Sequence, residues 1–458
     1  MKLIQDFRDT MNPPVFFGSA GFIISFVFYG TVYSDDAESL FSVVQDSLIA
    51  SFGWFYVLAA STMLCFVIWL GLSRFGNIRL GGDDSKPEFG RLTWFTMLMA
   101  AGMGIGLVFY GVTEPVLHYI SPPHATPRSD AAIREAIFYS YFHWGLHPWA
   151  IYICMALPLA YFHFRFSLPL APRTLLYPLI GDRIHGWIGH LVDITATVGT
   201  LFGVGTSLGL GAMQINAGLD TLTGLSMSLP TQLVIIALIT SVATFSVVSG
   251  LHVGIRRLSE FNLFIAAILL IFILVAGPTM HILETFTSGI GIYLSKIIEI
   301  SFQVGAAGDS DWQARWTLFY WVWWISWSPF VGVFAARISR GRTIREMVIG
   351  MLLAPTMLGF FWFAAFGGTA LSLESQGIGQ IAVMAMQDEA LSLYAMLAEM
   401  PMPGLMSTLA TLAIIVFFIT SSDSGSLVDV MVTSGGNANP PAAYRIFWCV
   451  AEGVVAMS

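Results

Sequence analysis

The stretch Met99–Tyr119, MAAGMGIGLVFYGVTEPVLHY, decides the fold. It is apolar and long enough to enter a bilayer, yet Gly102, Gly104 and Gly106 interrupt it at its middle. Three glycines in five residues weaken a helix. In hydrocarbon, the amides and carbonyls they free are tolerated only where they face protein or a cavity, and helices broken at mid-membrane are a device for binding solutes and cations. Freed amides suit a carboxylate and freed carbonyls a cation. Close helix packing through small residues accounts for the same spacing equally well.

Outward from this run the chain reads as an all-α polytopic membrane protein in a single membrane domain. Of its 458 residues 56% are hydrophobic and 10% charged, too apolar a mixture for a water-exposed surface. Apolar length and Gly/Pro punctuation predict spans near Pro14–Tyr33, Phe52–Ser73, Trp94–Tyr119, Ile137–Phe164, Gly186–Ala217 and Pro230–Ser249. Further spans follow near Phe261–Pro278, Trp316–Ala336, Met347–Leu371 and Met406–Val432, with a last one starting at Ala442. With the N-terminus in the cytoplasm, only Arg128, Arg134, Lys296 and Arg315 of the 20 Lys and Arg fall outside, so the positive-inside rule sets the orientation. The acidic segment Ser34–Gln45 then reads as an external loop, and amphipathic Met280–Ile300 as an external helix along the interface. The stretch Ala442–Ser458 reaches about 26 Å at 1.5 Å per residue, short of a full span, and reads as a helix that is cut off.

Composition excludes several classes. Cys65, Cys154 and Cys449 lack CxxC or Cys/His spacing and read as packing residues. The net charge of −8 is spread over loops, and no basic stripe or nucleic-acid motif occurs. No catalytic set of His, Asp or Cys stands at membrane depth, which argues against an enzyme. An ion channel would differ by flux that does not saturate with solute.

Aromatic residues gather on two other spans, FHWGLHPWAIY with Trp144, Trp149 and Tyr152, and FYWVWWISWSPF with Tyr320, Trp321, Trp323, Trp324, Trp327 and Phe330. Trp149 and Tyr152 share a face at i, i+3 after Pro148, and Trp324 and Trp327 share another. An interfacial belt accounts for Trp316 and Trp321. The inner rings suit a cage in which each contributes about 0.5–2 kcal/mol toward a quaternary ammonium that cannot hydrogen-bond. In the tenth span Thr420, Ser421, Ser422, Asp423 and Ser424 offer hard oxygen ligands for a small cation, or hydroxyls bonding back to their own helix. Glu114 and Asp423 read as ion relays or end-of-helix partners, His143 and His147 as residues shaping the kink near Trp144, and Arg337–Arg345 as a positive-inside loop.

GMGIG followed by GVTEPVLHY, FHWGLHPWAIY, TSLGLGAMQINAGL, WWISWSPFVGVFAARISRGRTIRE and FFITSSDSGS resembles, in order and spacing over nearly the whole chain, the betaine/carnitine/choline transporter (BCCT) family. The resemblance implies twelve helices in a leucine-transporter-like fold, often in homotrimers. Residues 14–73 would be two extra N-terminal helices, 94–278 the first inverted five-helix repeat, 280–300 the interfacial helix and 316–458 an incomplete second repeat. It implies a cage of Trp144, Trp149, Tyr152 and Trp324 with Trp323, Trp327 and Phe330 along the path, and a substrate carboxylate at the amides of Gly102, Gly104 and Gly106. One sodium site would use the carbonyls of Ala100, Met103 and Phe417 and the hydroxyls of Thr420 and Ser421. A second would use Thr200 and Ser207, with Val204 where a further hydroxyl is expected.

These expectations converge on a multi-pass carrier in the cell membrane that imports an onium zwitterion, glycine betaine first, with sodium as coupling ion and no other cofactor. Related proton-coupled choline carriers resemble this motif but hold an aspartate at the place of Gly106. A bare cation needs that intramembrane charge and a betaine brings its own. A sodium-independent exchanger or a proton-coupled carrier of choline- or carnitine-type solutes is the alternative.

Overall fold

The glycine break is present in the structure, a computed structural model that describes residues 10–102, 104–249, 254–305, 310–437 and 440–458. The helices on its two sides are α3 (Arg91–Gly102) and α4 (Ile105–Ile120), with Gly104 capping the second. Before them come α1 (Pro13–Val32), which starts on two prolines, and α2 (Ser34–Leu72). Ser34–Gln45 is thus the first third of a 39-residue helix and not a loop. The segment has no Gly or Pro to stop it, and Asp35 and Asp36 sit in the first turn, where the helix dipole favours acids.

The next span is broken as well. Helix α5 (Asp130–Trp144), capped by the Ser129 hydroxyl, gives way at Gly145 to α6 (Leu146–Phe166). The break falls at Gly145 and not at Pro148, which sits in the first turn of α6, where its missing N–H costs nothing. The freed Leu146 amide donates to the Tyr293 hydroxyl at 3.1 Å.

Helices α7 (Trp187–Thr223), α8 (Leu229–Ser249), α9 (Gly254–Ala276) and α10 (Thr279–Ser301) follow. The axis of α10 turns 110° from that of α9, the geometry expected of an amphipathic segment that leaves a span to lie across its end. A π turn at Ala314–Leu318 leads into α11 (Phe319–Ile338). Helix α12 (Ile344–Trp362), opened by a Thr343/Glu346 capping box, passes through a second π turn into α13 (Gly368–Ser375). Two short helices, α14 (Ile381–Gln387) and α15 (Ser392–Ala398), pack on α4, and α16 (Pro403–Thr433) and α17 (Ala442–Met457) follow.

Eight helices among the described residues are long and apolar enough to cross a bilayer, and the bent α9/α10 pair is a ninth. The remaining two spans of the sequence reading are the broken α3/α4 and the 16-residue α17, whose pieces are individually short. This is the construction of a multi-pass membrane protein. Only 28% of the α1 span is buried against 72% of the span holding α11, so α1 lies at the outside of the bundle and α11 in its centre. The most extensive helix pairs are α7 with α16 and α6 with α11, and the α3/α4 break lies among them. Basic residues in loops and helix ends gather at one end of the bundle, where Arg79 donates to the Gly341 carbonyl, Arg345 to the Ser73 carbonyl and Arg165 to Asp83. The ion pair of Arg128 with Glu374 lies beyond the far end of α4.

Candidate functional site

The three glycines are contact points for the predicted site. A Cβ on Gly102 would lie 2.3 Å from Trp149 Cη2. One on Gly106 would lie 2.9 Å from Trp144 Cη2 and 3.0 Å from Trp323 Cη2, and one on Gly104 would lie 3.3 Å from Ser421 Oγ. The missing side chains therefore let three tryptophan-bearing helices, α5, α6 and α11, and the hydroxyl-rich helix α16 reach the break together.

The rings themselves form a connected wall. Trp149 and Tyr152 meet edge to face at 5.5 Å, Tyr152 meets Trp324 at 6.3 Å, and Trp324 meets Trp144 at 4.9 Å and 74°. Trp323 stacks on Trp324 at 4.9 Å, while Trp327 touches both and leads to Phe330 at 5.7 Å. All seven are buried. Trp324 Nε1 donates to the His143 carbonyl at 3.0 Å, at the last turn of α5. The interfacial-belt reading fails for Trp321, which is buried against Phe142 and His147.

The cation-ligand candidates lie close by. Phe417, Thr420 and Ser421 are buried on α16, and Thr200 and Ser207 are buried on α7, the helix most closely packed against it. Thr420 Oγ1 donates to the carbonyls of Val416 and Phe417, and Ser207 Oγ to that of Gly203, so both hydroxyls bond back to their own helices. Ser421 Oγ instead faces the glycine break. Ala100 lies in the last turns of α3, and Met103 lies outside the described residues.

Sequence reasoning missed the centre of the polar network. Glu114 is fully buried and is no end-of-helix partner. Its Oε1 is hydrogen-bonded to His143 Nδ1 at 2.7 Å and His118 Nε2 at 3.2 Å, and its Oε2 accepts from Trp144 Nε1 at 2.8 Å and the Tyr320 hydroxyl at 2.5 Å. His143 also reaches the Thr317 hydroxyl at 3.0 Å. The spacing Glu114/His118, i to i+4 on one helix face, was the available signal. His143 and His147 do not merely shape a kink, since His147 bonds the Ser301 hydroxyl at 3.0 Å. Glu114 Oε1, His118 Nε2 and His143 Nδ1 lie within 4.8 Å of one another, a spacing a metal would accept, but their mutual hydrogen bonds satisfy them without one. Asp423 accepts from Ser246 at 2.8 Å and stands 3.7 Å from Arg445, which is buried rather than in a loop.

The family model for the betaine/carnitine/choline family transporter matches residues 14–458. The chain belongs to that family. An uncharacterised transporter of Mycobacterium tuberculosis is 43% identical over 99% of this chain and 77% of its own length. A glycine betaine transporter of Bacillus subtilis is 44% identical over 94% of this chain and 84% of its own. The high-affinity choline transport protein of Escherichia coli is 40% identical over 98% and 67%. This transporter thus keeps its rings, its broken helix and its hydroxyl-bearing helix α16 in one buried cluster.

Proposed function

We propose that this transporter imports a zwitterion with an onium head, glycine betaine first, together with sodium. The observation that carries the reading is the approach of Trp149 to Gly102 and of Trp144 and Trp323 to Gly106, with Tyr152 and Trp324 packed against these rings. Rings with no charged side chain among them bind trimethylammonium by cation–π attraction, and the broken backbone beside them meets the carboxylate. The names of the Bacillus subtilis and Escherichia coli relatives, for glycine betaine and choline, favour the same solute class.

Sodium would sit between the carbonyls of Ala100, Met103 and Phe417 and the hydroxyls of Thr420 and Ser421. Solute and ion bind from outside, the repeats 94–278 and 316 onward rock about them, and both leave to the cytoplasm, where the N-terminus lies. One positive charge moving inward through about 100 mV supplies about 2.3 kcal/mol, close to a fifty-fold gradient. Uptake of glycine betaine into vesicles should collapse when potassium replaces external sodium, and Ser421→Ala should raise the sodium concentration needed. Uptake unchanged by both would sink the symporter.

One observation favours a proton in place of the second sodium. A Cβ on Gly425 would lie 3.2 Å from Val204 Cγ2 and 2.6 Å from Glu452 Oε1, so a buried carboxyl stands next to Val204. Uptake that still needs sodium, but with one ion per solute and with further stimulation by an inward proton gradient, would select that reading.

A further inference from the structure

We propose that Glu114 is a buried counter-charge for the onium head that acts through the indole of Trp144, and so sets the preference for charged over neutral head groups. The inference rests on the reading of the rings as an onium site.

A carboxylate offers about four lone-pair positions, and all four are taken here by N–H or O–H donors from His118, His143, Trp144 and Tyr320. With protons on His118 Nε2 and His143 Nδ1, a proton on either oxygen would point at one of these donors, and the arrangement suits the anion. The surrounding groups leave its charge in place. Among the described residues its ion-pair partners are His118 and His143 only. Among the described residues His118 Nδ1 is buried with no hydrogen-bond partner, so a second proton there would lack an acceptor. His143 Nε2 meets the Thr317 hydroxyl at 3.0 Å, which can fill its lone pair.

The anion stands one indole away from the cage. Trp144 gives its N–H to Glu114 Oε2, while its ring meets Trp324 at 4.9 Å and its far edge approaches Gly106. A hydrogen bond from N–H to a carboxylate enriches the ring in electrons and strengthens its attraction for a cation, and the fully buried setting preserves the field. Held behind the indole, the carboxylate attracts the head without presenting an oxygen to a small hydrated ion. Tyr320, which stacks on Trp324 at 5.6 Å, relays the same charge to a second ring. Glu114 is therefore a specificity-determining residue that does not touch the solute.

The test uses the purified transporter, with binding followed by intrinsic tryptophan fluorescence. The probes are glycine betaine and its carbon isostere tert-butylacetate, in which a tert-butyl group replaces trimethylammonium. Glu114→Gln keeps the shape and loses the charge. It should weaken betaine about fivefold or more, the effect of one lost cation–π-sized contribution, with isostere binding unchanged. Equal weakening of both probes means that Glu114 only holds Trp144 in place, and no change in either means that its charge is not felt, so both results overturn the proposal. Where the glutamine variant does not assemble, Glu114→Asp carries the test. The charge remains, so the preference for betaine over its isostere should persist, and its loss would overturn the idea. If the unmutated protein binds neither probe, it is the onium reading of the rings that fails.

Discussion

Trp324 donates its indole N–H to the main-chain carbonyl of His143 at 3.0 Å, so the central ring of α11 is fixed to the residue that precedes Trp144. Two roles therefore meet in one side chain, and two substitutions separate them. Trp324→Phe keeps an aromatic face and loses the tie, whereas Trp324→Ala loses both and opens a cavity. Betaine uptake should show a higher KM in the phenylalanine variant, and the alanine variant should lose a further 0.5–2 kcal/mol of solute affinity, about twofold to thirtyfold. Competition by betaine, carnitine and choline read in both variants checks the order, and equal KM in all three proteins would remove Trp324 from the site.

The glycines should rank by what a methyl group would meet. At Gly102 it would lie 2.3 Å from a carbon of the Trp149 ring, which cannot yield without moving the cage. At Gly104 it would lie 3.3 Å from the Ser421 hydroxyl, which can rotate away. Gly102→Ala should lower uptake by about tenfold, equivalent to about 1.4 kcal/mol, while Gly104→Ala retains much of it at a raised sodium requirement. Initial rates at graded sodium, normalised to transporter in the membrane, distinguish the two.

How much of this was legible before the structure follows from which interactions are local. The break after Gly102, the rings and the hydroxyl run were readable because each depends on residues within one span. The helix over Ser34–Gln45 was misread because charge was taken as a sign of a loop, although acids in a first turn are compatible with a helix. Gly145 was overlooked in favour of Pro148, and the reason it breaks the helix is distant in sequence: the Tyr293 hydroxyl accepts the amide that the break releases. For Glu114 the sequence leaves an ion relay and an end-of-helix partner open, because its partners His143, Trp144 and Tyr320 come from two other helices.

The bond between Tyr293 and Leu146 predicts a stability effect at a residue that touches no solute. Tyr293→Phe preserves the ring, which packs on Phe360 at 4.9 Å, and leaves the Leu146 amide without an acceptor. A buried unsatisfied amide costs about 1–3 kcal/mol. The thermal midpoint in detergent should fall, and the maximal rate should fall more than betaine affinity, because α5 and α6 carry the rings on either side of Gly145. An unaltered midpoint would mean that water or a shifted backbone replaces the hydroxyl.

Arg173 and Asp193 form the strongest contrast with the surface charges. The guanidinium Nε lies 2.6 Å from Asp193 Oδ2, the Arg173 amide donates to Oδ1 at 2.8 Å, and both side chains are almost wholly buried. With its amide turned so that the oxygen faces Arg173, Asn12 accepts two more guanidinium bonds, and the Asn12 amide donates to the Thr433 carbonyl at 2.9 Å. One arginine thus joins the start of α1 to α7 and, through Asn12, to the end of α16. Arg173→Ala strands a buried carboxylate and should cost about 3–5 kcal/mol, whereas Arg128→Ala, whose side chain is 49% exposed, should cost about 0.2–1 kcal/mol. Glu374, the partner of Arg128, also accepts from the Ala382 amide and is not left alone. Adding Asp193→Asn to Arg173→Ala should recover part of the loss, because the stranded charge is then gone. Melting of the three variants in detergent measures the ranking, and an Arg173 variant as stable as the Arg128 variant would show that α1 is held by its apolar contacts alone.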